Sequence, residues 1–98
     1  MNKETLQEVI FMKIWMSGEV FEKVFPNFYD PDVKEIREAK VVLDEENDML
    51  KVWYVQVWDQ NGEMYEYDEA LGARWEMTEE DWERLIKAIS TGEAKIKA

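Results

Sequence analysis

A chain of 98 residues, 46% hydrophobic and 13% aromatic, provides for one domain with one core, and its aromatic content excludes the disordered class that a net charge of −11 would otherwise suggest. It has neither Cys nor His, which removes disulfides, thiolate nucleophiles, Cys-ligated zinc and the usual general base near neutral pH. With 12 Lys and Arg against 23 Asp and Glu, the surface repels nucleic acid and anionic membranes and attracts basic proteins.

The N-terminal third admits two readings. Thr5-Leu6-Gln7-Glu8 matches a capping box, and Ser17-Gly18 would end a helix opened there. Apolar residues between Leu6 and Met16 would surround that helix on nearly every side, and so small a domain has little room to bury it. A strand covered on both faces is preferred over residues 6–16, with the helix as its rival. Ser17-Gly18 then turns into a second strand from Glu19 to Phe25, closed by Pro26.

Asp30-Pro31 reads as an N-cap followed by proline at the first helical position. Val33, Ile36 and Ala39 continue at three-residue spacing, which predicts a short helix from Pro31 to about Ala39. A strand from Ala39 to Asp44 follows, and the polar link Glu45-Glu46-Asn47-Asp48 leads to a second strand from Met49 to Asp59. Asn61-Gly62 is a strong hairpin signal before a strand from Met64 to Glu69. A two-residue loop there sets Trp58 opposite Tyr65 and Gln56 opposite Tyr67, and sends Trp53, Val55 and Val57 to the core.

The last element is a helix capped by Thr78, with Glu79, Glu80 and Asp81 complementing its dipole. Met77 and Trp82 form a hydrophobic staple, Trp82, Leu85, Ile86 and Ile89 make the buried stripe, and Gly92 stops the helix. The expected fold is α+β over residues 1–98: a small antiparallel sheet of about five strands in the order β-β-α-β-β-β-α, with helices packed on one face.

No catalytic, cofactor or metal motif stands out. The loop Asp44 to Met49 lacks the glycine that an EF-hand requires at its sixth position, and paired carboxylates are uninformative among 23 acids. No run approaches the roughly 20 apolar residues of a membrane span. Lys3, Glu4 and Glu8 precede the first apolar run with no small-residue cleavage site after it, so a cytoplasmic protein is expected, in the host cytoplasm if virus-encoded.

The charge is concentrated. From Asp59 to Glu83 there are ten acids and one base, Arg74. The expected partner-binding residues are therefore Glu63, Glu66, Asp68, Glu69, Glu76, Glu79, Glu80 and Glu83. Carboxylates spaced along strand and helix can imitate phosphates. The leading expectation is a non-enzymatic, stoichiometric inhibitor that docks on a basic nucleic-acid-binding surface, as phage-encoded anti-CRISPR and anti-restriction proteins, or bacterial immunity proteins, do in general terms. Direct contact with nucleic acid or membrane is not expected, because the aromatics of the hairpin lie among acids in the sequence. Solubility alone, or an aromatic hairpin that recognises a peptide or sugar, are the competing readings.

Overall fold

The computed structural model describes residues 12–46, 49–68 and 78–97. Their elements in chain order are β1 (Met12–Ser17), α1 (Gly18–Val24), β2 (Ile36–Glu46), β3 (Met49–Asp59), β4 (Met64–Asp68), α2 (Glu79–Thr91) and β5 (Ala94–Lys97). The strands form one sheet in the spatial order β4-β3-β2-β1-β5, with every neighbouring pair antiparallel. This is the expected α+β class, with both helices on one face.

That face holds the core. Ile14 and Met16 of β1, Ala39 and Val41 of β2, Val55 and Val57 of β3 and Ala94 of β5 pack against Phe21 and Val24 of α1 and Leu85 and Ala88 of α2. The period-two alternation of the strands supplies the flat side of this contact, and residues three apart on each helix supply the other.

Five local expectations are corrected. Residues 19–25 fold largely as helix α1 instead of a strand. The Ser17 side chain accepts from the Val20 amide at 3.2 Å and caps it. A strand would have set Lys23 on the same side as Phe21 and Phe25, whereas the helix gathers Gly18, Phe21 and Val24 on the buried side. Gly18 is required here, because a Cβ would overlap the Ile36 carbonyl group.

The segment after Asp30-Pro31 is a turn and then a strand. Asp30 Oδ1 accepts from the Asp32 amide at 2.9 Å, and its carbonyl accepts from the Val33 amide at 3.1 Å. Ile36 already belongs to β2, the central strand, which pairs with β1 on one side and β3 on the other. Two ladders of backbone hydrogen bonds outweigh the weak helical spacing of Val33, Ile36 and Ala39. The link expected at 45–48 also shortens, since Glu45 and Glu46 extend β2 and Glu46 pairs with Met49.

In the β3–β4 connection, three residues, Gln60-Asn61-Gly62, lie between the hydrogen-bonded Asp59 and Glu63. The Asp59 amide donates to the Glu63 carbonyl at 3.0 Å, the Gly62 amide donates to the Asp59 carbonyl at 3.1 Å, and Gly62 has φ 81°. The extra residue shifts the register by one, so Trp58 pairs with Met64, Val57 with Tyr65 and Val55 with Tyr67. A one-residue shift exchanges the faces of a strand. Tyr65 and Tyr67 therefore pack towards the core, while Glu66 lies on the other side.

Trp53 does not enter the core. Val42 pairs with Tyr54 and Leu43 with Val52, which leaves Trp53 as the additional residue of a β-bulge, and it is 51% exposed. Finally, β5 follows the stop at Gly92, whose φ of 83° closes α2. The preferred strand at the N-terminus holds for Met12–Ser17; residues 6–11 and the Met77 part of the staple lie outside the described residues.

Candidate partner-docking site

The acids expected to bind a partner divide between two faces. Glu66 pairs with Gln56 and receives a hydrogen bond from its Nε2 at 2.7 Å; Gln56 pairs with Lys40, and Lys40 with Trp15. This row crosses the side of the sheet that faces away from the helices. Glu79, Glu80 and Glu83 are exposed on α2, whose buried residues pack on the helical side. Asp68 is placed by register opposite Tyr54. Glu69 and Glu76 lie outside the described residues. The expected set is therefore not one surface.

Asp81, the acid between Glu80 and Glu83, has a different role. It is 1% exposed, its carboxylate accepts from the Thr78 amide at 3.0 Å, and its own amide donates to Thr78 Oγ1 at 3.1 Å, completing a capping box. The Arg84 guanidinium pairs with the same carboxylate, and Arg84 Nε donates to the Val24 carbonyl at 2.9 Å. This linkage fixes the start of α2 against the end of α1.

The structure instead gathers acids that are distant in sequence. Asp32 and Glu35, from the loop before β2, share an open cleft of about 460 Å³ with Asp59 and Glu63 of the β3–β4 hairpin. Lys34 is the one cation among the residues lining it, and Gln60, Asn61 and Tyr65 complete the wall. The sequence tally missed Asp32 and Glu35 because it counted charge along the chain. The signal that could have found them is the turn chemistry of Asp30-Pro31-Asp32, which folds the loop back.

Hydrogen bonds set this wall. Asp59 Oδ1 accepts from the Asn61 and Glu63 amides at 2.8 and 2.9 Å, so its carboxylate is built into the turn. The Tyr65 hydroxyl donates to Glu63 Oε2 at 3.1 Å and lies 3.5 Å from Asp59 Oδ2. Desolvation, followed by the Glu63 hydrogen bond and charge, raises the Tyr65 pKa above its ordinary value, so the hydroxyl remains a donor.

Beside the cleft, the Tyr67 hydroxyl donates to Asp30 Oδ2 at 2.7 Å. Burial first, then that hydrogen bond, pushes the Tyr67 pKa well above its ordinary value of 10.0. Phe28 meets the Tyr67 ring edge-on at 5.1 Å and Phe21 at the same distance, which ties the acidic loop to the core. Tyr29, at the crest of this loop, is 82% exposed.

Among the described residues no group of three or more acids is disposed to hold a metal ion. The cleft offers carboxylates from two segments to a cation, those of Asp59 and Glu63 hydrogen-bonded within the hairpin. Among the described residues no helix is long and apolar enough to cross a membrane. The chain matches no protein-family model, no curated protein and no solved structure.

Proposed function

We propose that this protein is a non-catalytic binding module that docks the cleft of Asp32, Glu35, Asp59 and Glu63 on a basic, nucleic-acid-binding surface of a partner protein. The reading is that of a stoichiometric inhibitor acting in the cytoplasm, of the general type of anti-CRISPR, anti-restriction and immunity proteins. The observation that carries it is the convergence of acids from two segments, one per wall, on a single cleft whose hairpin side is held by hydrogen bonds. Carboxylates held in place before binding lose less entropy on meeting Arg or Lys than free side chains do. Tyr65 in the cleft wall is an aromatic of the type enriched at interfaces.

The test is binding to a panel of purified nucleic-acid enzymes with basic substrate channels, at low and high salt. Reversing Asp32, Glu35 and Glu63 to Lys is expected to abolish binding to the partner, while reversing Glu79, Glu80 and Glu83 weakens it only slightly by lowering the long-range attraction. Asp59 is left intact because it builds the turn. Circular dichroism controls for fold. Equal loss in both variants would mean that net charge alone drives association.

A further inference from the structure

Sheet pairing gathers bases that are scattered along the chain. On the face opposite the helices, Trp15 pairs with Lys40 on one side and Lys95 on the other, and the flanking pair is Lys13 with Lys97. Lys40 Nζ lies 5.2 Å from the Trp15 ring centre and 5.8 Å from that of Tyr54, and Lys97 Nζ lies 5.9 Å from Trp15. Trp15 and Trp58 stack with ring centres 5.5 Å apart at 17°. Val42 on this face is buried, and Glu38 and Glu66 border the lysines, Glu66 acting electrostatically on Lys40; among the described residues no carboxylate forms an ion pair with Lys13, Lys40, Lys95 or Lys97.

Two features of this face are unfavourable in isolation. Like charges directly opposite on neighbouring strands, as Lys13 and Lys97 are, destabilise a sheet. Trp15 and Trp58 are only partly buried, which leaves some apolar area in water. An anion with flat aromatic groups relieves both at once. Carboxylate peptides would satisfy the lysines but leave the rings bare.

We propose that the sheet face opposite the helices, through Trp15, Trp58 and Tyr54 with Lys13, Lys40, Lys95 and Lys97, binds a short stretch of single-stranded nucleic acid. The bases stack on the rings and the phosphates meet the lysines, the combination used by sequence-tolerant single-strand binders. Unpaired bases are required, because a duplex buries the faces that stack. The face is distinct from the acidic cleft, so this inference stands apart from the partner-docking reading. Mobile ions screen the cleft's field beyond about 8–10 Å. The overall negative charge keeps the affinity modest.

The experiment is tryptophan fluorescence of the intact chain titrated with oligothymidylate, at about 20 and about 200 mM salt. Quenching that saturates and weakens with salt is expected. Reversing Lys13 and Lys97, both exposed, to Glu is expected to weaken binding at least about tenfold and flatten the salt dependence, with circular dichroism unchanged. Trp58→Leu is expected to weaken binding while retaining the salt slope. No quenching at low salt, unchanged affinity in the lysine variant, or equal binding of oligoglutamate would overturn the proposal.

Discussion

Among the single residues, Asp81 separates an acid that builds the fold from acids that face solvent. It lies in a run of charge that reads uniformly as solvated, yet its carboxylate holds both the Thr78 amide and Arg84. Asp81→Ala removes the reciprocal half of the capping box and leaves Arg84 without its ion partner. The expected cost is about 1–3 kcal/mol, seen as a lower urea midpoint, while Glu80→Ala leaves the midpoint unchanged. Tyr67 carries the clearest pH dependence. Its folded pKa is raised, so the folded state keeps a proton that the unfolded state loses above 10.0. Stability from this group is complete below pH 10 and falls as pH rises through the folded value. In Tyr67→Phe, denaturation followed against pH is expected to lose part of the alkaline slope shown by the wild type.

Among the elements, what was legible in the sequence depended on whether the signal was local. Strand β3 and helix α2 were readable because alternation and a cap are written in neighbouring residues. Trp82, expected to seat the helix, is only partly buried, and Ile86 is 62% exposed; Leu85 and Ala88 make the buried contact. The stripe is narrower than the spacing implied because the buried side of the helix meets chiefly β5 and α1. Helix α1 and strand β2 were misread because their state is decided by contacts far along the chain. Gly18 illustrates this: it reads as a stop, whereas its lack of a side chain lets the start of α1 press against the Ile36 carbonyl. Gly18→Ala forces backbone apart and is expected to cost about 3 kcal/mol, measured by thermal denaturation. Gly62→Ala, with open space around its Cβ, meets only the penalty of positive φ, about 1–2 kcal/mol.

Over the whole molecule, the sequence revealed the sign of the surface but not its geometry. The acidic excess from Asp59 to Glu83 is real, yet folding puts Glu66 and the α2 acids on opposite faces and brings Asp32 and Glu35 to Asp59 and Glu63. The sheet likewise collects Lys13, Lys40, Lys95 and Lys97, which are scattered along the chain, around one tryptophan. Neither grouping can be found without the strand order β4-β3-β2-β1-β5. The central claim is that the acidic cleft is a docking site and not merely part of a soluble surface. The direct measurement is amide chemical-shift mapping during titration with a short oligoarginine peptide. The expected result is saturable shifts concentrated at residues 30–35 and 59–65, abolished by reversing Asp32, Glu35 and Glu63 to Lys. Shifts spread evenly over every exposed acid, with Glu79, Glu80 and Glu83 moving as much as the cleft, would contradict it.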